Sequence, residues 1–180
     1  MQHLLNSYNI NKRQIKMRIL NVGCGSDTYG TDFLDLYPQR KEIKRCNLDK
    51  DKFPYDEEIF DEVYSKNNFE HLTNPLHFLN ESKRVLKKGG RIIIITDNAG
   101  YYGFFSTAHH GGHEIAHKDN PDDRHYALFT TTHMKNWMEK AGFNKIEIKY
   151  SLTDPKDWKL RIAAKINKKL HQQLVVIGVK

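Results

Sequence analysis

The sequence contains little cysteine and no long apolar run, and each shortage excludes a class of protein. Among 180 residues there are only two cysteines, Cys24 and Cys46, too few for a disulfide framework or a four-cysteine zinc site. The apolar runs, such as the four isoleucines at 92–95, are strand-sized and far short of the roughly 20 residues of a membrane helix. Residues 1–16 are polar and basic and lack the apolar core of a signal peptide. We therefore expect a cytoplasmic protein in which both cysteines are small buried side chains.

The charge is unbalanced toward basic residues. The chain carries 29 lysines and arginines against 22 aspartates and glutamates, for a net charge of +7. Such a surplus is typical of proteins that bind RNA, an anionic membrane surface or a phosphorylated metabolite, and also of lysine-rich surfaces that only maintain solubility. We favour the solubility interpretation and a small-molecule partner. RNA and an anionic membrane surface stay as alternative partners, and no obligate protein partner is evident.

Strand-like and helix-like segments alternate along the chain. The strand patterns lie at residues 17–22, 33–36, 43–48, 59–65, 91–96, 144–152 and 174–179. One helix is predicted to begin at Asn74-Pro75 and to end at Gly89-Gly90, because asparagine caps and glycine terminates helices. Two more are predicted between Thr130 and Gly142 and over residues 157–172. The alternation predicts one doubly wound α/β sheet over residues 17–180, after a lead-in at 1–16.

A glycine-rich turn follows the first strand, as Val22-Gly23-Cys24-Gly25. In open α/β sheets, ligands bind at the carboxyl ends of the strands, where glycines permit close approach. A dinucleotide fingerprint would need a third glycine nearer than Gly30, and Asp27 would repel a pyrophosphate. A phosphate-binding loop would need Gly-Lys-Ser/Thr, which the sequence lacks. Taken alone, the glycines are equally compatible with a tight turn that binds nothing.

Five segments in a fixed order narrow the choice of protein family. They are the turn at 19–26, the acidic and then proline-aromatic segment at 47–55, the strand at 60–65, Phe69-Glu70-His71-Leu72, and the segment 84–91 that ends in Gly-Gly-Arg. Together they resemble the class I S-adenosylmethionine-dependent methyltransferases, specifically the type 11-like group. The resemblance implies a Rossmann-like sheet of about seven strands with the last strand antiparallel. It also implies S-adenosyl-L-methionine as cofactor and methyl transfer to a small-molecule, sugar or lipid-precursor acceptor.

The cofactor has a ribose diol, an adenine ring and a zwitterionic tail, and each part needs a different partner. A carboxylate at a strand tip suits the diol, which favours Asp35 over Asp49, because the next strands follow Asp49 too closely. Asn47 and Leu48 suit the adenine, and Asp27 suits the ammonium of the tail. The candidate cofactor residues are Asn21, Gly23, Cys24, Gly25, Asp27, Asp35, Asn47, Leu48, Ser65, Lys66 and Asn67, of which Ser65, Lys66 and Asn67 rest on the resemblance.

Two departures from the family pattern support a different function. Asn21 stands where the family usually has an acid, and residues 25–35 are too few for a full first helix. These features keep open a catalytically inactive protein that binds S-adenosylmethionine without turnover. The positive charge likewise keeps open an RNA methyltransferase.

Candidate catalytic residues lie after the strand at 91–96, in a long segment at 97–129 that we interpret as a lid over the acceptor. Asp97, His109 and His110 are the candidates, since a methyl acceptor needs orientation and loss of a proton. The histidines of this segment can also bind metal, although we assign no metal site. We interpret His71 as a structural or capping residue. In the last helix, Trp158, Ile162, Ile166 and Leu170 form an apolar stripe that is predicted to cover the sheet.

Overall fold

The sheet contains seven strands, and its order is β3-β2-β1-β4-β5-β7-β6. A computed structural model describes residues 17–105, 125–152 and 158–180. The strands are β1 Ile19–Val22, β2 Asp32–Asp35, β3 Ile43–Arg45, β4 Phe60–Lys66, β5 Leu86–Asp97, β6 Asn144–Ser151 and β7 Gln173–Val179. The helices are α1 Pro75–Val85, α2 Thr131–Lys140 and α3 Trp158–Ile166. Strands β1 to β5 pair in parallel, whereas β7 is antiparallel to both β5 and β6. This confirms the predicted Rossmann-like sheet and its antiparallel last strand.

The chain reverses direction across the sheet at β1. Strand β1 pairs with β2 on one side and with β4 on the other, so the chain runs outward to β3 and then returns. Such a reversal leaves a crevice at the carboxyl ends of the adjoining strands. The tips of β1, β2 and β4 therefore meet around one opening, as the sequence predicted.

The core lies between the sheet and two helices. Helix α1 contacts β5, α2 contacts β6 and β7, and the two helices contact each other. The fully buried side chains of Phe78 and Leu79 on α1 and of Met134 and Met138 on α2 belong to one cluster with the strand residues Leu20, Val63 and Ile92. Among the described residues, no helix has both the length and the apolarity to cross a membrane.

Helix α1 ends earlier than predicted, and the prediction that Gly89-Gly90 ends it is wrong. Its C-cap is Leu86, which already has an extended backbone, and both glycines lie inside β5. The pairing moves from Phe60–Leu86 directly to Glu62–Arg91, so residues 87–90 form a bulge. Gly89 has a φ of +77°, and a Cβ on Gly90 would lie only 2.9 Å from the Lys87 carbonyl oxygen. These glycines therefore permit a bulge and not a helix terminus.

The last helix is shorter than predicted, and two residues of its apolar stripe do not pack on the sheet. Helix α3 ends at Ile166, and a short 3-10 helix, Lys168–Leu170, follows after Asn167. The side chains of Ile162 and Ile166 are 52% and 85% exposed, whereas Ala164 is buried. The prediction that Ile162 and Ile166 cover the sheet is therefore wrong, and Ala164 faces the protein instead.

Arg84 connects α1 to the segment that enters β4. Its guanidinium donates to both carboxylate oxygens of Glu81, at 2.9 and 2.7 Å, and to the carbonyl oxygens of Phe53 and Tyr55, at 3.0 and 2.9 Å. Glu81 in turn accepts from the Phe53 N–H at 2.7 Å. Because the Arg84 and Glu81 side chains are only 16% and 13% exposed, this network is shielded from competing water.

We expect Arg84→Met to lower the free energy of unfolding by roughly 2–3 kcal/mol, because it leaves the Glu81 carboxylate and two carbonyl oxygens without their donor. Urea denaturation followed by circular dichroism measures the loss. The matched control is Lys135→Met, which removes a 3.7 Å pair with Glu139 between side chains that are 61% and 54% exposed. That variant should stay within about 0.5 kcal/mol of the parent. Equal losses in the two variants would contradict the assigned role of Arg84.

Candidate functional site

A cavity of about 390 Å³ opens at the carboxyl ends of β1, β2 and β4. Its walls come from the β1–β2 turn, the tip of β2, the loop after β3 and the segment after β4. The lining residues are Gly23, Gly25, Asp35, Leu36, Tyr37, Asn47, Leu48, Asp49, Asn67, Asn68, His71, Leu72, Thr73 and Tyr126. Six predicted cofactor residues are among them, namely Gly23, Gly25, Asp35, Asn47, Leu48 and Asn67. The volume is suited to a small organic ligand.

Gly23 forms the floor of the cavity and cannot carry a side chain without a local change. Its φ is +68°, in the region that side chains rarely adopt, and an added Cβ would overlap the Asn68 side chain. The N–H groups of Gly23 and Cys24 both donate to the Leu34 carbonyl oxygen, at 2.9 and 3.2 Å. The turn is therefore fixed against β2, and its backbone is exposed toward the cavity.

Asp35 is the last residue of β2, and its carboxylate is held in place by backbone donors. One oxygen accepts from the Gly25 N–H at 2.7 Å and the other from the Tyr37 N–H at 2.8 Å. Each carboxylate oxygen has a second lone-pair direction, so Asp35 retains acceptor capacity on the cavity side. Asp49, in the loop after β3, accepts from the Thr73 and Asn74 N–H groups. The strand order thus places Asp35, and not Asp49, at the tip of β2.

A second, smaller cavity of about 290 Å³ adjoins the first. It shares Gly23, Gly25 and Asn67 with the first cavity and is also lined by Asn21, Cys24, Ser26, Asp27 and Lys66. Lysine and aspartate therefore face the same small space. Burial raises the pKa of the Cys24 thiol to about 11, so this thiol is uncharged at neutral pH.

Two predicted cofactor residues have clear structural partners. The Asn21 side chain is 1% exposed, and its Nδ2 donates to the Tyr29 carbonyl oxygen at 2.9 Å. A carboxylate could not make this bond, which explains asparagine in place of the usual acid. Ser65 is fully buried, lines neither of these two cavities, and donates its hydroxyl to the Val22 carbonyl oxygen at 2.9 Å. Both side chains hold β1 in place.

Asn67 lies between the two cavities in an uncommon backbone conformation. Its φ is +50°, which asparagine tolerates better than most residues. Its Oδ1 accepts from Nε2 of Gln173 on β7, at 2.6 Å. The sequence placed Asn67 in the site but gave no sign of this partner, which is 106 residues away along the chain.

Four ionisable side chains form a cluster: Glu70, His71, Asp97 and His125. Of these, His71 lines the main cavity, and we call that edge of the cavity the rim. The rings of His71 and His125 have centroids 4.7 Å apart, and Nδ1 of His125 lies 3.5 Å from an Asp97 carboxylate oxygen. Glu70 is 1% exposed and accepts from the Thr96 hydroxyl at 2.7 Å. Burial raises the pKa of the Glu70 carboxyl to about 7, although the Thr96 hydrogen bond opposes the rise.

Part of this cluster was predicted from the sequence. Asp97, a candidate catalytic residue, lies at its edge as the last residue of β5. The candidates His109 and His110 fall outside the described residues. His71, interpreted as a structural or capping residue, ends the short 3-10 helix Phe69–His71 and also lines the main cavity. His125 was one of the histidines of residues 97–129 considered as metal ligands, and Tyr126 was missed. The N–H groups of Tyr126 and Ala127 donate to the Glu70 carbonyl oxygen, at 2.8 and 3.3 Å, and these bonds bring the segment beside the cluster. No local pattern signals such contacts.

Substitutions of Gly23 and Gly25 separate steric overlap from backbone strain. Both glycines have positive φ, but only Gly23 has a neighbour in the space of a Cβ, whereas Gly25 has nothing within 4 Å. We expect Gly25→Ala to lower the free energy of unfolding by about 1 kcal/mol, from the left-handed backbone alone. Gly23→Ala should lower it by at least about 1 kcal/mol more, because Asn68 must also move. Denaturant titration measures both, and equal losses would mean that Asn68 rearranges without cost.

Comparison with known proteins agrees with the fold. The family model of the methyltransferase domain matches residues 5–148. Among curated proteins, no sequence matches the chain significantly. Many solved structures share the fold. A Thermotoga maritima S-adenosylmethionine-dependent methyltransferase, named as a possible histamine N-methyltransferase, is 16% identical with a TM-score of 0.63, over 92% of this chain and 82% of its own.

Two further structures extend this similarity. The S-adenosylmethionine-dependent methyltransferase of Mesorhizobium loti is 16% identical with a TM-score of 0.62, over 91% of each chain. Phosphoethanolamine N-methyltransferase 2 of Haemonchus contortus, solved with S-adenosyl-L-methionine, is 17% identical with a TM-score of 0.59, over 91% of this chain and 48% of its own. The family match covers most of the sequence, and the sheet order and the glycine turn agree with it. The chain therefore belongs to the class I S-adenosylmethionine-dependent methyltransferases of the type 11-like group.

Proposed function

We propose that this methyltransferase transfers the methyl group of S-adenosyl-L-methionine to a small-molecule, sugar or lipid-precursor acceptor. The observation that carries the proposal is the anchored carboxylate of Asp35 in the cavity of about 390 Å³. Two backbone N–H groups fix this carboxylate before any ligand arrives, so binding does not have to order it. Its remaining lone pairs are suited to accept from both hydroxyls of a ribose.

The adenine ring and the methionine tail of the cofactor are assigned to residues that line the neighbouring walls. Leu48 is an apolar surface for the adenine ring, and Asn47 is a polar contact for its edge. Lys66 and Asp27 line the cavity of about 290 Å³, where they would hold the carboxylate and the ammonium of the methionine tail. Opposite charges on opposite groups of a zwitterion give both affinity and orientation.

The acceptor is proposed to enter beside the cluster at the rim. A further cavity of about 600 Å³ shares Leu72, Thr73 and Tyr126 with the main one and is otherwise lined largely by apolar and aromatic side chains, including Phe129 and Trp137. Its size is that of a small-molecule site. The name of the Haemonchus relative, a phosphoethanolamine methyltransferase, is consistent with a lipid-precursor acceptor. We propose the cytoplasm as the compartment of this protein.

Little chemistry is required of the protein, because the sulfonium donor is already activated. The reaction needs in-line placement of the acceptor and removal of its proton. Asp97 and His125 lie together at the rim and are proposed to receive that proton, with Asp97 orienting the imidazole. His109 and His110 remain sequence-based candidates for the same role.

Two other functions remain alternatives. The net charge of +7 favours an RNA acceptor, and RNA binding would then weaken steeply with salt. A protein that binds the cofactor without turnover is supported by the absence of a helix in residues 23–31, all of which the structure describes. Asn21 no longer supports that alternative, since its amide has a structural role.

Isothermal titration with S-adenosylmethionine and S-adenosylhomocysteine tests the proposed cofactor site. We expect Asp35→Asn to weaken binding at least about tenfold, because an amide presents one acceptor oxygen where the carboxylate presents two. The matched control is Asp51→Asn, whose carboxylate accepts from the Asn47 N–H at 2.8 Å but does not line the cavity. It should bind as the parent does.

The outcomes separate the alternatives. Failure of the parent protein to bind either ligand would overturn the proposal, and equal binding by Asp35→Asn and the parent would remove Asp35 from the site. Binding without product across a screen of small acceptors and RNA would favour the inactive binding protein. Circular dichroism of each variant confirms that the fold is intact before the titrations are compared.

A further inference from the structure

We propose that Glu70, His71 and His125 bind one divalent transition-metal ion at the rim of the main cavity. The three side chains each offer one ligand atom, and these atoms all lie within 4.8 Å of one another. In a tetrahedral zinc site with bonds of about 2.1 Å, neighbouring ligand atoms are about 3.4 Å apart. Small rotations of the side chains therefore bring the three atoms into coordinating range.

The backbone sets the three ligands before a metal arrives. The short 3-10 helix Phe69–His71 presents Glu70 and His71 as neighbours. The N–H groups of Tyr126 and Ala127 both donate to the Glu70 carbonyl oxygen, and this contact brings His125 beside them. A site held by main-chain bonds needs little ordering of its ligands when the ion binds.

The charges around the cluster also favour the binding of a cation. Glu70 is 1% exposed, and among the ion pairs of the described residues it has no lysine or arginine partner. Burying a carboxylate is costly unless a proton or a cation neutralises it. Asp97 adds a second carboxylate next to His125, at 3.5 Å from its Nδ1. A carboxylate beside a histidine in this way orients the ring and increases its basicity at metal sites.

The ligand types indicate which ions fit. Two imidazoles and one carboxylate suit zinc, iron(II) and related ions better than magnesium or calcium, which prefer oxygen ligands. Three protein ligands leave at least one coordination position open. His71 lines the main cavity, so that position is reached from the ligand side.

An open position there has a chemical consequence for the acceptor. With the ion bound, His125 is a ligand and no longer the proton acceptor. A hydroxyl oxygen bound to the ion would lose its proton more easily, to the Asp97 carboxylate, and would be held near the donor. This role rests on the proposed methyl transfer, and it selects acceptors that carry a metal-binding oxygen. Metal binding itself is independent of that function and is tested separately.

The test uses the whole protein after removal of metal with a chelator. Zinc is titrated in competition with a coloured chelator, and cobalt(II) is added in parallel, because its visible spectrum reports nitrogen and oxygen ligands. We expect one ion per chain in the parent protein. His125→Ala and Glu70→Gln should each weaken zinc binding by about 100-fold or more. Loss of a residue that only contacts a metal ligand costs up to about 100-fold in affinity, and loss of a ligand itself should cost at least as much. The control is His133→Ala, an exposed histidine on α2, which should bind as the parent does.

The outcomes are distinct. The proposal would be overturned if the parent protein bound no stoichiometric ion. It would also be overturned if zinc binding survived both substitutions, because the ion would then belong to other histidines such as His109 and His110. His71→Asn replaces Glu70→Gln if the buried substitution prevents folding. Titration with S-adenosylmethionine accompanies each variant: loss of zinc with retained cofactor binding supports the metal site alone. Zinc binding without cofactor binding by the parent would overturn the proposed function and leave the metal site intact.

Discussion

The site depends on how the chain closes the short connection between β1 and β2. No helix lies in residues 23–31 to space the two strands. Hydrogen bonds of side chains and of the main chain hold the connection instead. Asn21 donates to the Tyr29 carbonyl oxygen, the Thr31 N–H donates to the Ile19 carbonyl oxygen, and the Gly25 N–H donates to Asp35. The last of these bonds also fixes the Asp35 carboxylate. A constraint of folding thus produces a carboxylate that is held in place at the edge of the cavity.

The sequence predicted those parts of the molecule that depend on neighbours along the chain. Alternation of apolar segments gave the strands, and the position of Asp35 at a strand end gave its place in the cavity, because both follow from local geometry. Gly89-Gly90 was misassigned, since glycine serves a helix end and a β-bulge equally well and only pairing with β4 distinguishes them. The stripe at Ile162 and Ile166 was misassigned because periodicity reports an apolar face without reporting what that face meets.

The rim of the site was beyond prediction for a related reason. Glu70 and His71 belong to a segment that the resemblance identified, but their partners arrive from distant parts of the chain. His125 is brought in by hydrogen bonds to the Glu70 carbonyl oxygen, and the Thr96 hydroxyl reaches Glu70 from the end of β5. Composition and spacing carry no record of such contacts. His109 and His110 were therefore put forward as catalytic candidates, although His125 is the one histidine of residues 97–129 that lies among the described residues.

The bond between Asn67 and Gln173 bears on how the protein acquires its binding capacity during synthesis. Asn67 borders both cavities, and its left-handed backbone is supported by a residue of the last strand. Strands β1, β2 and β4 all precede β7 along the chain, and β7 pairs between β5 and β6. Most of the cavity walls can therefore form before β7 has been synthesised, whereas the support of Asn67 comes only after β7 has paired.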